Sequence, residues 1–126
     1  MAVNATRGRF LLLSEKAFAE IPRTFRKLLY NLEISVVDLP GPEAGRWRGS
    51  KNLLGLYSGL SRSEMKSPDS SAHLPARIFL YQRNIESRCR DEARLLGMIR
   101  TTLRHELAHH FGFSDEDLRR KWPEGA

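Results

Sequence analysis

One segment constrains this chain more than any other. Residues 90–111 repeat apolar side chains with the period of an α-helix, and Asp91 and Glu92 suit the first turn of such a helix. Gly112 suits its end, because glycine readily takes the left-handed backbone conformation that terminates many helices. The side chains that form the apolar face are Leu96, Ile99, Leu103 and Leu107. The pattern predicts a long helix that packs one face into a hydrophobic core.

Two further helices are predicted from weaker patterns. Apolar side chains at helical spacing over residues 14–32 predict a helix that has Ser14 as its N-cap and is kinked or restarted at Pro22. Ser114 is followed by three acidic residues, which is typical of the start of a helix. This short last helix is predicted to reach about Lys121.

Three short segments predict strands because they are rich in β-branched, aromatic and other apolar residues: 33–38, 53–58 and 77–82. Gly55, inside the second of them, and Gly59, just after it, are interpreted as a bulge or a turn. Residues 61–75, with five serines and two prolines, are predicted to form an exposed loop. Strands that follow one another between helices indicate an α+β fold rather than alternating βαβ units.

The long helix carries an HExxH motif, which begins at His105 and ends at His109. At this spacing the two side chains lie about 40° apart around the helix, so both can bind one Zn²⁺. Glu106 lies about 100° round from the first histidine, too far for a natural third ligand. It is well placed to reach a water held on the metal and to act as general base. His110 falls among the core positions and is interpreted as a structural or supporting histidine.

The residues that follow the motif offer a third ligand. Gly112 lets the chain reverse, and Asp115, three residues further on, can then return toward the metal. A carboxylate oxygen is an acceptable zinc donor. Glu116 is the alternative third ligand. A purely structural role for Asp115 is that of an acidic residue at the start of the last helix.

An HExxH motif followed by a glycine and an acidic residue resembles the metzincin branch of the zinc metallopeptidases. The stretch His105–Leu118 is most similar to a bacterial family of minimal zincin-like metallopeptidases, long described as a domain of unknown function. The resemblance extends to residues 53–59 and 74–80. It implies a small zincin-like fold, in which an N-terminal helix backs a short mixed sheet of three or four strands beside the active-site helix. Carried over by residue, it implies zinc ligands at His105, His109 and Asp115 and a catalytic base at Glu106.

The chain departs from the metzincin pattern after the motif. Metzincins have a methionine-containing turn there, whereas the last methionine of this chain is Met98. Only 11 residues follow Asp115, and the C-terminal subdomain that normally shapes one side of the cleft is missing from them. We expect either a very open site or a site that a second subunit completes.

The resemblance implies a zinc-dependent metallopeptidase that hydrolyses peptide bonds with a zinc-bound water activated by Glu106. Its peptide or protein substrate is expected to add as a strand to an exposed sheet edge. Ile78–Tyr81 is the first candidate for this edge, and Leu53–Tyr57 is the second. Tyr57 and Tyr81 are candidates for an oxyanion donor, although a packing role is favoured for each.

Two other functions stay open at this stage. A metal-dependent ribonuclease would suit the net charge of +6, but its metal-binding pattern does not need Glu106. A non-catalytic, zinc-stabilised binding domain would close all four coordination positions of the metal, whereas a catalytic site leaves one position open.

Composition limits the cellular context. A chain of 126 residues is predicted to form a single domain over residues 1–126. The longest apolar run, Phe10–Leu13, is too short for a membrane span or a signal-peptide core, so no membrane partner is expected. Cys89 is the only cysteine, which excludes an internal disulfide and favours a cytoplasmic location. The excess positive charge is interpreted as a solvated face rather than a nucleic-acid surface.

Overall fold

The computed structural model describes residues 2–27, 29, 31–59 and 75–122. All but the last residue of the loop predicted at 61–75 therefore lies outside the described residues. The helices are α1 (Arg7–Ala19), α2 (Arg23–Arg26), α3 (Gln82–Glu86), α4 (Glu92–Phe111) and α5 (Asp115–Lys121). The strands are β1 (Leu32–Val37), β2 (Gly55–Ser58) and β3 (Ala76–Tyr81), and a 3-10 helix (Pro42–Trp47) lies between β1 and β2. This order confirms the α+β class.

The N-terminal helix begins earlier than predicted. The side chain of Thr6 caps α1 by accepting a hydrogen bond from the backbone N–H of Arg9 at 3.1 Å. Ser14 is not the N-cap. It lies buried in the middle of α1, where its hydroxyl donates to the carbonyl oxygen of Phe10 at 2.9 Å. A serine can satisfy its hydroxyl in this way within a helix, so its presence alone does not mark a helix start.

The same helix also ends earlier than predicted. α1 stops at Ala19, and Pro22 precedes the four-residue α2, because proline is tolerated at a helix start but not in its interior. Leu32 then opens β1. The prediction of one kinked helix over residues 14–32 was therefore wrong at both ends, although the break at Pro22 is confirmed.

The sheet has three strands in the order β1-β3-β2. β1 runs parallel to β3, with Leu32 opposite Ala76, and β2 runs antiparallel to β3, with Gly55 opposite Leu80. This is the mixed three-stranded sheet that was predicted. β3 is paired on both sides, so the choice of Ile78–Tyr81 as the substrate-binding edge was wrong. In the described part of the chain, β2 lies at one edge of the sheet.

Two helices cover one face of this sheet. α1 packs against α4, and α4 also contacts β2 and β3. Alternate residues of β3, Ile78 and Leu80, point into the core between the layers. The fully buried apolar side chains of α4 are Leu95, Ile99, Leu103 and Leu107, so the apolar stripe runs through Leu95 and leaves Leu96 partly exposed. None of the described helices is both long enough and apolar enough to span a membrane.

The junction between α4 and α5 follows local sequence signals. Gly112 has a φ of 75° and terminates α4, and the N–H of Phe113 donates to the carbonyl of Ala108 at 2.8 Å. Ser114 then caps α5 and forms a reciprocal capping box with Asp117. Both the end of the long helix and the start of the last one are confirmed.

The short helix α3 holds the segment that leads into β2. The side-chain amide of Asn84 is buried and donates to the carbonyl oxygens of Ser50 at 2.7 Å and Leu53 at 2.8 Å. The carboxylate of Glu86, also buried, accepts a hydrogen bond from the backbone N–H of Ala5 at 2.7 Å. α3 thereby joins the N-terminal segment and the start of β2 to the end of β3.

Candidate metal and catalytic site

The C-terminal half of α4 presents the two histidines of the motif to solvent. His105 and His109 are both exposed, and their ring centroids lie 6.3 Å apart at an interplanar angle of 75°. Imidazole nitrogens are usual zinc donors, with bonds of about 2.0–2.1 Å. The structure thus brings together the two side chains that the helical spacing predicts.

Glu106 lies on the side of α4 that faces β2. Burial is the largest influence on its carboxyl group and raises the pKa above the usual range, because a buried carboxylate loses hydration. His109 and His105 act in the opposite direction, as does a hydrogen bond that the carboxylate accepts from the backbone N–H of Tyr57. A carboxylate with a raised pKa is a stronger proton acceptor near neutral pH, which is what a general base requires.

Gly55 allows β2 to approach this part of α4 closely. A Cβ atom at this position would lie 2.8 Å from Cγ2 of Thr102, 3.1 Å from the carbonyl oxygen of Phe79 and 3.3 Å from Cγ of Glu106. Gly55 is thus a regular strand residue at a tight strand–helix contact, and its interpretation as a bulge or turn was wrong. Gly59, directly after β2, has a φ of 123°, which suits a turn. A glycine within a strand can indicate a bulge or a close approach of another part of the backbone. Gly55 is of the second kind.

The outer edge of β2 runs beside Glu106. The N–H of Tyr81 donates to the carbonyl oxygen of Leu54 at 3.0 Å. Because bonded and non-bonded pairs alternate in an antiparallel ladder, Gly55 and Tyr57 direct their backbone groups away from β3. This geometry is consistent with the hydrogen bond from Tyr57 to Glu106.

The two candidate oxyanion donors are both engaged elsewhere. Tyr81 is fully buried, and its hydroxyl donates to Oε2 of Glu43 at 2.9 Å. Burial and the neighbouring Glu43 carboxylate raise the pKa of Tyr81. The hydroxyl oxygen of Tyr57 lies 2.8 Å from Nδ1 of His110. The packing role favoured for each tyrosine agrees with these contacts.

His110 lies in the core, as its helical position predicts. Its side chain is fully buried, and its ring lies 5.8 Å from that of Tyr57, between centroids. No local pattern could have revealed the partner, because the two residues are 53 positions apart in sequence.

The third metal ligand is not gathered at the histidine pair. Asp115 and Glu116 are exposed in the first turn of α5. Across residues 2–27, 29, 31–59 and 75–122, the structure forms no group of three or more His, Cys, Asp or Glu side chains arranged to hold a metal ion. The donor chemistry of His105 and His109 fits zinc, and the assignment of Asp115 as third ligand stays a prediction.

Comparison with known proteins agrees with this geometry. No curated protein was found to match the sequence. The family model described as zincin-like metallopeptidase matches residues 29–123, about three quarters of the chain. The matched region contains the whole sheet, the histidine-bearing α4 and the α5 that follows its glycine turn. On the strength of this match, the chain belongs to the zincin-like metallopeptidase family.

Proposed function

We propose that this protein is a zinc-dependent peptidase. His105 and His109 bind the ion, Asp115 is the third ligand and Glu106 is the general base. The observation that carries the proposal is the position of Glu106, whose carboxylate lies between the histidine-bearing face of α4 and the outer edge of β2. Family membership supports the same reaction class.

The chemistry divides between the metal and the protein. When bound, zinc supplies a Lewis acid that polarises a carbonyl oxygen and makes a water molecule more acidic. Glu106 accepts the proton of that water and delivers it to the leaving amine, which the same carboxyl group can do once it is protonated. The raised pKa of Glu106 favours uptake of the proton, because a weaker acid has a more basic carboxylate.

The substrate is an extended peptide that adds to β2. Gly55 directs its backbone N–H and carbonyl oxygen toward the outer edge of this strand, beside the Tyr57 N–H that binds Glu106. Main-chain hydrogen bonds of this kind bind peptides with little dependence on side chains. Leu53–Tyr57, the second candidate edge, therefore replaces Ile78–Tyr81 as the proposed site of peptide addition.

The test is a comparison of wild type with Glu106→Gln, which keeps the side-chain shape but cannot accept a proton at neutral pH. We expect equal zinc content in the two proteins and loss of at least about 100-fold in peptide cleavage, the usual contribution of a general base. Zinc content is measured by elemental analysis, and cleavage with casein and a peptide library. Glu15→Gln, an exposed change on α1, is the matched control and should cleave like wild type.

Two outcomes would contradict the proposal. Equal cleavage by wild type and Glu106→Gln would show that this carboxylate is not the base. Absence of peptide cleavage together with degradation of an RNA substrate would favour the ribonuclease alternative, whose metal site does not depend on Glu106.

A further inference from the structure

His110 has no chemical step in the proposed hydrolysis, yet it lies next to a proposed zinc ligand. Its imidazole is fully buried on α4, whereas the adjacent His109 is exposed. Buried polar groups in proteins are hydrogen-bonded, since desolvation without a partner costs free energy. Nδ1 of His110 and the hydroxyl oxygen of Tyr57 lie 2.8 Å apart and form such a bond. This bond connects the catalytic helix to the edge strand.

Tyr57 contacts three residues of α4 through three different groups. Its hydroxyl bonds to His110, and its ring lies nearly parallel to that of His109, at 6.2 Å between centroids and 25° between planes. Its backbone N–H donates to the carboxylate of Glu106. The tyrosine therefore touches the proposed base and one proposed ligand, and it is held by a third residue that touches neither substrate nor metal.

The bond to His110 restricts where Tyr57 can lie. A phenol is rigid between its Cβ and its hydroxyl, so fixing the hydroxyl on a buried side chain also limits the position of the backbone. Two residues earlier, Gly55 permits the close approach of β2 to Thr102 and Glu106. The Tyr57–His110 bond limits how far β2 can move away from α4. Gly55 permits the short distance between β2 and α4.

We propose that the Tyr57–His110 hydrogen bond is a positioning device for the catalytic site. It holds β2 against α4, so that the backbone of Tyr57 orients Glu106 and its ring orients His109. Tyr57 and His110 are positioning residues. The inference rests on the proposed function, because the two groups it orients are the proposed base and a proposed zinc ligand.

Three variants separate this role from ordinary packing. Tyr57→Phe removes the hydroxyl and keeps the ring, and His110→Leu removes the bonding nitrogen. His110→Asn is the rescue variant, because its amide reaches approximately the position of Nδ1 and can either donate or accept. Ser14→Ala is the matched control: it removes another buried hydroxyl bond, that to the carbonyl oxygen of Phe10 within α1, and α1 contributes no residue to the proposed site.

The readouts are the visible absorption spectrum of the Co²⁺-substituted protein and the turnover of one peptide that the wild type cleaves. The Co²⁺ spectrum reports ligand geometry without any turnover. We expect Tyr57→Phe and His110→Leu to alter that spectrum and to lower kcat about tenfold, as the loss of one positioning hydrogen bond predicts. KM should change by less than about twofold, since ground-state binding to the strand edge is retained. His110→Asn should restore both readouts.

A double-variant comparison checks that the bond itself is responsible. Tyr57→Phe combined with His110→Leu should lower kcat no further than either single change, because the same bond is lost in all three. Ser14→Ala should keep the wild-type Co²⁺ spectrum and a kcat within about twofold.

The outcomes that overturn the inference differ from those that overturn the proposed function. Wild-type spectra and turnover in Tyr57→Phe and His110→Leu, with loss of stability alone, show that the pair is only structural. If the wild type binds Co²⁺ but cleaves no peptide, the proposed function fails and the spectrum alone decides the positioning role. If the wild type binds no Co²⁺, both proposals are overturned.

Discussion

Burial distinguishes Glu106 from the two candidate third ligands, Asp115 and Glu116. Glu106 is enclosed between α4 and β2, and this burial raises its pKa, which suits a group that must accept a proton near neutral pH. Asp115 and Glu116 are exposed in the first turn of α5, where acidic side chains interact favourably with the helix dipole. An acidic residue at such a position has a structural explanation, so only measurement of metal binding distinguishes a ligand.

Asp115→Ala is predicted to weaken zinc binding at least tenfold, because two histidines supply only two of the three protein donors of a typical catalytic site. Glu116→Ala is the matched control, as it removes the neighbouring exposed carboxylate, and its zinc affinity should equal that of wild type. Asp117→Ala should lower the thermal midpoint without changing zinc affinity, because it breaks the capping box with Ser114. Affinity is measured by competition with a chromophoric chelator. Loss of affinity in Glu116→Ala but not in Asp115→Ala would assign the ligand to Glu116.

At the scale of elements, the site depends on the separation of β2 from α4. The helix contributes every residue of the HExxH motif, but the strand sets the surroundings of Glu106 through Gly55 and Tyr57. α1 also packs against α4. Glu20, directly after the last residue of α1, forms an ion pair with Arg100 of α4, with 2.6 Å between its Oε2 and the Nε of Arg100. These contacts predict opposite effects for two glycine substitutions and an acid-dependent effect for the ion pair.

Gly55→Ala is predicted to destabilise the protein by about 1–3 kcal/mol, the usual cost of overpacking. The added methyl group would approach Thr102 and the rigid carbonyl of Phe79. Gly97→Ala, on α4, where the added Cβ meets no atom within 4 Å beyond the local helix backbone, should instead stabilise by about 0.4–1 kcal/mol, since alanine loses less backbone entropy than glycine. Urea unfolding of both variants tests the pair. A neutral or stabilising Gly55→Ala would show that β2 does not lie this close to the helix.

The ion pair between Glu20 and Arg100 is predicted to contribute stability that disappears in acid. The hydrogen bond from Arg100 is the main reason that the pKa of Glu20 lies below its ordinary value. Its contribution is therefore complete above the ordinary carboxyl pKa of about 4.3 and is lost as pH falls through the lowered pKa. The pair is partly exposed, so we expect at most about 1 kcal/mol.

Glu20→Gln and Arg100→Gln should both reduce this acid-dependent loss, because either change removes the same interaction. Thermal melts between pH 7 and about pH 2.5, a range that spans the carboxyl titration, measure the effect. An unchanged pH dependence in both variants would mean that the ion pair does not form in solution.

At the scale of the whole molecule, the family match covers less of the chain than the hydrophobic core does. The match begins at residue 29, so α1 lies outside the matched region. α1 nevertheless supplies Phe10, Leu13 and Ala17 to the same core as α4. The helix that bears the histidines therefore rests partly on a segment that the family model does not cover. This arrangement agrees with the predicted N-terminal backing helix.

Zinc is predicted to bind at one ion per chain and to stabilise the fold, because a ligand that binds only the native state shifts unfolding by mass action. At a free concentration of 100 times Kd the stabilisation is about 2.7 kcal/mol, which corresponds to roughly 10 °C in Tm for a domain of this size. Calorimetry of apo and zinc-loaded protein measures the shift. The double variant His105→Ala, His109→Ala should show no shift, and an equal shift in that variant would place the metal elsewhere.

Local signals were sufficient for the helix that carries the motif. The 3.6-residue period, the acidic first turn, Gly112 and the Ser114 cap act over four or five residues, so the sequence alone determined α4, its end and the placement of His105 and His109 on one side. The three strands were also predicted from composition to within two residues. The N-terminal helix was predicted less well, because Thr6 and Ser14 offer equivalent capping groups and the choice depends on which residues the core buries.

Only the tertiary structure decided how distant segments meet. It determined that β3 is the central strand, that Gly55 lies against Thr102, and that Tyr57 pairs with His110 across 53 residues. It also determined the burial that raises the pKa of Glu106 and left Asp115 exposed in α5. Each of these depends on contacts between elements far apart in the chain. Such contacts are selected by the packing of the whole core and leave no periodic pattern in the sequence of either partner.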